Sequence, residues 1–207
     1  MKLPKLYAIV DTSCFVAGGS SRSTVVDYAR ELATGGATLI QYRNKAGSAR
    51  TMLSDARRIK EVVGEAVILI MNDRADLCTA AGYRGIHVGQ DDLSPEGART
   101  VIGPARILGV STHNLEQVRE ADVGPADYIA FGPIFATRSK QKPDPVVGVE
   151  GLRAARLATG KPLVAIGGIT RANARSVVDA GADSVAMIAD LLVSPRQSAE
   201  EVLRLLA

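Results

Sequence analysis

The chain has 207 residues, of which 46% are hydrophobic, so it can bury a sizeable core within one α/β domain or two small domains. Aromatic residues make up only 4%, and the apolar content is mostly Ala, Val, Leu and Ile, which favours parallel strands covered by helices over an antiparallel sandwich. The formal net charge of +3 comes without any block of basic residues, so the composition gives no sign of a nucleic-acid-binding surface.

Cys14 and Cys78 are the only cysteines and no CxxC spacing occurs, which indicates two free thiols in a reducing compartment. Residues 1–4 lead directly into an apolar segment, without the hydrophobic core of a signal peptide. Nowhere does an apolar run reach the roughly 18 residues that span a membrane. We therefore expect a cytoplasmic protein without a membrane partner.

Eight short apolar segments rich in Val and Ile recur along the chain, and they lack period-2 alternation, as expected of strands buried on both faces. The predicted strands are Leu6–Asp11, Leu39–Arg43, Val67–Asn72, Gly85–Gly89, Ile107–Thr112, Tyr128–Ile134, Pro162–Gly168 and Ser184–Ala189. Helical patterns lie between the strands, for example over residues 24–33 and from Arg171 onward.

A glycine precedes each later strand, at the place where glycine ends a helix by adopting a positive φ. These glycines are Gly35, Gly36, Gly64, Gly82, Gly103, Gly124, Gly160 and Gly181. Eight strands separated by such helix stops predict a (β/α)₈ TIM barrel, a compact single catalytic domain over residues 1–207. An open doubly wound sheet has the same pattern and is the alternative fold.

In a barrel of this kind, active sites lie at the carboxyl ends of the strands. The second predicted strand ends in the sequence QYRNK at 41–45. Because alternate side chains of a strand share a direction, Gln41, Arg43 and Lys45 are expected to converge on the barrel mouth. Two cations aimed at an apolar centre need an anionic partner to offset their loss of solvation. The alternative is a solvated strand end with both cations facing water.

Asp73 follows the third predicted strand and Asp92 follows the fourth, which places two carboxylates on adjacent loops. Such a pair suits Mg²⁺, which prefers oxygen ligands and commonly binds through one or two carboxylates together with substrate phosphates. The alternative is that Asp73 caps the following helix. The pattern by itself leaves both interpretations open.

The fifth predicted strand ends in a serine, a threonine and His113, but neither triad spacing nor a GxSxG turn is present, so serine hydrolysis is rejected. His113 and the mid-strand His87 are interpreted as structural histidines. The loop 137–147, with Thr137, Ser139 and Lys140, is long enough to cover a phosphate, although a solvated basic loop is the alternative. The glycines at 167 and 168 stand where barrels commonly bind phosphate, or they form a tight turn without a ligand.

Six motifs occur in one order along the chain: QYRNK at 41–45, NDR at 72–74, HVGQDDL at 87–93, STH at 111–113, GPIFATRSK at 132–140 and IGGI at 166–169. By these motifs the chain resembles the thiamine phosphate synthase family along essentially its whole length. The resemblance implies a transferase of thiamine biosynthesis. It would condense 4-amino-2-methyl-5-hydroxymethylpyrimidine diphosphate with a thiazole phosphate, giving thiamine phosphate and diphosphate by a magnesium-assisted dissociative substitution without a protein nucleophile.

The resemblance also implies a role for each site residue. The catalytic residues would be Arg43, Lys45, Ser111 and Lys140. The pyrimidine diphosphate would be bound by Gln41, Tyr42, Arg43, Asn44, Lys45, Asn72, Ser111 and Lys140. One Mg²⁺ per subunit would be bound by Asp73 and Asp92. The thiazole phosphate would be bound by Thr137, Arg138, Ser139, Gly168, Ile188 and Ala189.

Two positions depart from the family pattern. Ser139 stands where the family often has Thr, which keeps the hydroxyl. Ala189 stands where it usually has Ser, which removes a side-chain hydroxyl beside the phosphate. Asp190 follows directly, and because its charge would be unfavourable beside a phosphate, we expect this side chain to point away.

Other functions fit parts of the pattern. The sister family of thiazole tautomerases would need a proton-transfer residue, with His113 as the candidate, but no metal, so the pair Asp73 and Asp92 argues against it. A non-catalytic sensor of phosphorylated ligands would share the fold. An indole- or ribulose-phosphate-type barrel enzyme would share the glycines of the seventh strand. The expected partners are small phosphorylated molecules, and the oligomeric state, a homo-oligomer included, is left open.

Overall fold

The eight apolar segments form parallel strands in the computed structural model, which describes residues 1–16, 22–137 and 144–207. Their bounds are β1 Leu6–Asp11, β2 Leu39–Arg43, β3 Ile68–Asn72, β4 Gly85–Val88, β5 Ile107–Thr112, β6 Tyr128–Phe131, β7 Leu163–Ile166 and β8 Ser184–Met187. Neighbours in sequence are neighbours in the sheet, and β1 pairs with both β2 and β8. The sheet is therefore closed and has no free edge, which confirms the TIM barrel and excludes the open doubly wound sheet.

Helices connect the strands over the outside of the barrel. They are α1 Ser13–Val16, α2 Arg22–Thr34, α3 Ala49–Val63, α4 Ala75–Ala81, α5 Pro95–Ile102, α6 Leu115–Val123, α7 Gly148–Ala158, α8 Ala174–Asp179 and α9 Pro195–Leu206, with a short 3₁₀ helix at Ala189–Leu191. The start predicted at Arg171 is wrong, because α8 begins at Ala174. Before it, the side-chain oxygen of Asn173 accepts from the N–H of Thr170 at 2.8 Å and holds a turn.

The glycines after the helices fall into two groups. Five of the predicted stops have a positive φ, as expected: Gly36, Gly64, Gly82, Gly103 and Gly181. The prediction is wrong in detail for Gly124 and Gly160. Gly124 is the C-cap of α6 in extended backbone with φ −80°, and the C-cap of α7 is Thr159, not a glycine. At Thr159 the side-chain hydroxyl donates to Asp122, which supplies a stop that needs no positive φ.

Side chains of the strands divide between two apolar regions. One lies between the strands and the helices, and the other fills the barrel interior. The interior cluster consists of Leu3, Tyr7, Ile9, Leu39, Ile70, Tyr128, Ala130, Val164 and Ala186. All six residues of β1 are buried, so the prediction of strands covered on both faces holds there.

Cys14 is exposed and Cys78 is buried, and both are free thiols. None of the helices in the described ranges combines the length and the apolar character that a membrane crossing requires.

The glycine at position 109 makes room for the ring of Tyr128 inside the barrel. A Cβ at Gly109 would overlap that ring, whereas a Cβ at Gly160 would meet nothing within 4 Å. We expect Gly109→Ala to lower the free energy of unfolding by about 1–3 kcal/mol through overpacking, and Gly160→Ala to change it by less than about 0.5 kcal/mol. Urea unfolding of both variants measures the difference, and equal stabilities would contradict this account of the interior.

Candidate active site at the barrel mouth

Arg43, at the end of β2, forms an ion pair with a carboxylate of the protein itself. Its guanidinium contacts Asp11, the last residue of β1, and the two residues are paired in the register of the strands. Asp11 is only 2% exposed, and its other carboxylate oxygen accepts from the N–H of Ser13 at 3.0 Å and from its hydroxyl at 2.8 Å. The anionic partner inferred for Arg43 therefore includes Asp11, which the sequence analysis missed.

The other residues of the QYRNK segment divide between two directions. Tyr42 belongs to the layer between strands and helices, and its hydroxyl donates to Asp55 at 3.2 Å. The amide nitrogen of Asn44 donates to the same hydroxyl at 3.2 Å, and its amide oxygen accepts from the N–H of Gly47 at 2.8 Å. The side chains of Tyr42 and Asn44 thus hold the loop after β2 and do not join the group formed by Arg43 and Lys45.

Lys45 lies between the two predicted metal ligands. Its Nζ atom is 2.6 Å from a carboxylate oxygen of Asp73 and 3.5 Å from one of Asp92. When protonated, Asp73 also donates to Asp92, which accepts from the N–H of Gly89 at 2.9 Å. The structure therefore brings together three side chains that the sequence places on three separate loops.

Asp73 adopts a backbone conformation that few residue types tolerate. Its φ is 60°, and the N–H of Arg74 bonds back to the carbonyl of Asn72 at 2.7 Å, which closes a tight turn around Asp73. The helix α4 has Arg74 at its N-cap, without a side-chain cap, so the alternative that Asp73 caps this helix is wrong. Backbone strain of this kind concentrates at functional sites.

The electrostatics of the aspartate pair are unequal. Burial, together with the hydrogen bond to Asp92, raises the pKa of Asp73 to about 6. Burial acts in the same direction on Asp92, but hydrogen bonds from Asp73, from the N–H of Gly89 and from Lys45 lower the pKa of Asp92. Burial works against the charge of Lys45, yet its hydrogen bond to Asp73 and the charges of both carboxylates raise the pKa of Lys45.

The carboxylates of Asp73 and Asp92 are oxygen ligands of the kind that Mg²⁺ takes. The Lys45 ammonium already occupies a position in contact with both carboxylates. Within the described ranges, no group of three or more His, Cys, Asp and Glu residues is arranged for metal binding. A pair of carboxylates suits a magnesium ion whose remaining ligands are phosphate oxygens and water.

A chain of buried polar side chains crosses the barrel interior below this cluster. The amide nitrogen of Gln41 donates to the Tyr7 hydroxyl at 2.8 Å, and the hydroxyls of Tyr7 and Tyr128 are 2.9 Å apart. Nδ1 of His87 is 2.9 Å from the Tyr128 hydroxyl, and its Nε2 is 2.8 Å from the Ser111 hydroxyl. We call these five residues the interior relay. Its two ends, Gln41 and Ser111, are predicted site residues, whereas Tyr7 and Tyr128 are not among the residues predicted from the sequence.

Asn72, the last residue of β3, has a buried amide group with an unused donor. The residue is 8% exposed, and within the described part of the chain its Nδ2 atom has no hydrogen-bond partner. Buried donors are nearly always paired, because leaving one without an acceptor is costly. An acceptor on a bound ligand would supply the missing partner.

The loops after β6, β7 and β8 meet on the other side of the mouth. Gly168 has φ 62°, and a Cβ there would lie 2.5 Å from the carbonyl oxygen of Ala136, so only glycine lets the loops approach this closely. Ile188 precedes the 3₁₀ helix that begins at Ala189. Thr137 is described, whereas the predicted site residues Arg138, Ser139 and Lys140 lie outside the described residues.

The charge of Asp190 is neutralised beside this loop region. Its carboxylate accepts from the backbone N–H and from Nε of Arg171, both at 2.9 Å. Arg171 also contacts Glu201. Asp190 is therefore held by an arginine and is not an isolated negative charge next to the predicted phosphate site.

Comparisons with known proteins point to one family. A family profile described as thiamine monophosphate synthase matches residues 6–191. The chain is 63% identical to a thiamine-phosphate synthase of Koribacter versatilis, over all of this chain and 97% of the relative. It is 41% identical to a thiamine-phosphate synthase of Chloroflexus aurantiacus, over 92% and 86% of the two chains. A solved thiamine phosphate pyrophosphorylase of Pyrococcus furiosus superposes with a TM-score of 0.85, at 32% identity, over 98% and 95%.

The backbone of Asp73 yields a stability prediction. Asn tolerates a positive φ and Ala does not, so Asp73→Ala is expected to be less stable than Asp73→Asn by about 1 kcal/mol. Comparing the two variants with each other cancels the loss of the carboxylate, which both share. Urea unfolding in metal-free buffer is the measurement, and indistinguishable stabilities would show that the turn relaxes without strain.

The raised pKa of Asp73 yields a pH prediction. Its folded-state pKa of about 6 lies above the ordinary value of 3.8, so the stability of the metal-free protein falls as the pH rises between these values. Mg²⁺ must displace that proton, so its stabilising effect should be larger above pH 6 than below it.

Thermal unfolding with and without Mg²⁺ and inorganic diphosphate, on both sides of that pH, measures the effect. Asp73→Asn is the control and should lose the pH dependence. A stabilisation by Mg²⁺ that is the same at both pH values in the unaltered protein would contradict the assignment.

Proposed function

The chain belongs to the thiamine monophosphate synthase family, and on this premise we propose that it joins the aminopyrimidine diphosphate to the thiazole phosphate at the barrel mouth. The products would be thiamine phosphate and diphosphate. The observation that carries the proposal is the cluster of Lys45, Asp73 and Asp92, because two carboxylates and a lysine suit a magnesium diphosphate.

The positively charged groups of the site would act on the leaving diphosphate. Arg43 and Lys45 would stabilise the negative charge that develops as the bond to the methylene carbon breaks. Asp11 would hold the Arg43 guanidinium in position, since it pairs with it while buried. Mg²⁺, held by Asp73 and Asp92, would supply further neutralisation of the diphosphate when bound.

The pyrimidine ring would be recognised by polar groups at the strand ends. The unpaired amide nitrogen of Asn72 would donate to it, and Gln41 and Ser111 would contact it from opposite ends of the interior relay. The electron-rich ring can carry the cation left by departure of the diphosphate, and the thiazole nitrogen would then attack the methylene carbon. Such a substitution needs no nucleophile from the protein.

The thiazole phosphate would bind on the far side of the mouth. Backbone N–H groups near Gly168, Ile188 and Ala189 would hold its phosphate, and the close packing of Gly168 against Ala136 fixes the loop after β7 beside the loop after β6. Thr137 together with Arg138, Ser139 and Lys140 would complete the site, and Lys140 would also contact the diphosphate. These roles of residues 138–140 rest on the motif alone.

His113 supports the transferase over the tautomerase. Its Nδ1 is 2.7 Å from the carbonyl oxygen of Gly132, so this nitrogen donates to the backbone, and its Nε2 is 3.5 Å from Asp144. Both ring nitrogens thus face protein groups, which suits a structural histidine better than a general base that reaches a substrate.

Further properties are proposed on the same premise. We infer that residues 1–207 act as one catalytic domain on small phosphorylated molecules, without nucleic acid or membrane, and that the enzyme works in the cytoplasm. The continuous closed barrel supports a single domain.

The activity and its metal pair are tested together. Purified protein is mixed with the hydroxymethylpyrimidine diphosphate and the thiazole phosphate, with Mg²⁺ or with chelator, and thiamine phosphate and diphosphate are quantified. We expect product only with metal. In Asp92→Asn, kcat/KM should fall by about 100-fold or more, because charge stabilisation at the leaving group is weakened.

Asp91→Asn is the matched control, since it makes the same chemical change at the exposed neighbouring aspartate and should leave the rate near that of the unaltered protein. Full activity with chelator would contradict the assignment of Asp73 and Asp92 as metal ligands. Isomerisation of the thiazole phosphate without any condensation would replace the transferase with the tautomerase.

A further inference from the structure

The interior relay connects two residues on opposite sides of the proposed pyrimidine site. Gln41 ends the relay on β2 and Ser111 ends it on β5, and every consecutive pair between them is within 2.9 Å. Tyr7 is 1% exposed and Tyr128 is not exposed at all. Their rings also pack edge to face with centroids 6.0 Å apart, and the His87 ring stacks on Tyr128 at 5.6 Å. The geometry is therefore held by packing as well as by hydrogen bonds.

The number of available protons gives the hydrogen bonds of the relay a single direction, from Gln41 to Ser111. The amide nitrogen of Gln41 can only donate, so the Tyr7 oxygen accepts from it. The Tyr7 hydroxyl proton is then available to Tyr128, whose own proton is available to Nδ1 of His87. A neutral imidazole that accepts at Nδ1 carries its proton on Nε2, so it donates to the Ser111 oxygen. Each member of the series donates to the next, and the Ser111 hydroxyl proton is left over.

The burial of the two phenols keeps both of them protonated. Burial is the main cause that raises the pKa of Tyr7 and the pKa of Tyr128. Both groups therefore keep their hydroxyl protons over the whole physiological range. Each phenol can then act once as acceptor and once as donor, as a directed series requires.

We propose that Tyr7, Tyr128 and His87 are positioning residues that fix the hydrogen-bonding roles of Gln41 and Ser111 toward the aminopyrimidine. The bond to Tyr7 takes one N–H of Gln41 and fixes the orientation of its amide, so the carbonyl oxygen is presented to the ligand as an acceptor. It also supplies the bond that the Ser111 oxygen accepts, so the Ser111 hydroxyl is presented as a donor. This inference rests on the proposed function for the identity of the ligand.

The fixed roles select one class of ring. An acceptor and a donor together match a pyrimidine that offers an amino N–H and a bare ring nitrogen. A ring with an oxo group in place of the amino group offers the reverse, an acceptor and a ring N–H. A site with fixed roles rejects such an analogue because its buried polar groups would be left unpaired. The relay thus acts as a specificity device for the amino form.

The kinetic experiment compares Tyr128→Phe with Tyr83→Phe. Tyr83 is 2% exposed and its hydroxyl donates to the carbonyl of Ala56 at 3.1 Å, so Tyr83→Phe also removes a buried hydrogen bond, but outside the relay. In Tyr128→Phe we expect KM for the pyrimidine diphosphate to rise by about tenfold while KM for the thiazole phosphate stays unchanged. Discrimination against the 4-oxo analogue should fall by at least about tenfold.

Tyr83→Phe should show neither change, although both variants are expected to unfold at lower temperature. If the two variants have the same kinetic constants for both pyrimidines while the unaltered protein is active, the relay has no positioning role and the proposal is overturned. If the unaltered protein makes no product, the proposed function fails instead, and the relay is then judged by a measurement that needs no turnover.

That second measurement is nitrogen NMR of the histidine side chains. The chain has only two histidines, and His113→Gln assigns the signals of His87. We expect His87 to be neutral with its proton on Nε2, and Tyr128→Phe, but not Tyr83→Phe, to shift the ring toward the other tautomer. A proton on Nδ1 in the unaltered protein would reverse the direction of the relay and overturn the proposal.

Discussion

Closure of the eight-stranded sheet is the constraint on which the rest of the molecule depends. In a closed parallel barrel, alternate residues of each strand point either into the interior or toward the helices, and no strand is free to slip without exchanging the two sets. The interior is small, so it admits the ring of Tyr128 only because its neighbour Gly109 has no side chain. The carboxyl ends of all strands then meet at one mouth. Residues far apart in sequence, such as Asp11 and Arg43, become partners through this geometry alone.

Burying polar groups inside such a barrel requires that they satisfy one another. Asp11 is buried with an arginine and two donors from Ser13, and the tyrosines, the histidine and the serine of the relay bond in series. The unused donor of Asn72 interrupts this pattern. Because buried donors are nearly always paired, this amide indicates a place where a ligand would complete the structure.

The sequence predicted the architecture because parallel strands are continuous apolar runs that end at polar residues. The bounds of β1, β2 and β5 follow directly from such runs. The aspartates after β3 and β4 were predicted to lie together for the same reason. Asp11 could have been predicted as a site residue, because it is the last residue of β1 and β1 lies beside β2. It was treated only as the end of a strand. The contact between Tyr7 and Tyr128 could not have been predicted from the sequence, because it joins β1 to β6 across the interior and depends on the stagger of the closed sheet. The φ of Asp73 is likewise set by a turn that involves its neighbours and β4, not by its residue type.

The turn at Asp73 narrows the routes by which the metal site can change over evolutionary time. A residue at this φ must be glycine, asparagine or aspartate if strain is to be avoided, and among these only aspartate carries a charge. Replacing Asp73 with glutamate would lengthen the side chain and so change the distance between the carboxylate and the ion. Glutamate would also have to adopt the positive φ of this position, which is unfavourable for it. Substitutions at Asp92 are less restricted, because its backbone does not have a positive φ. In relatives that bind a different ion, we therefore expect substitutions in the loop after β4, while the residue at position 73 stays the same.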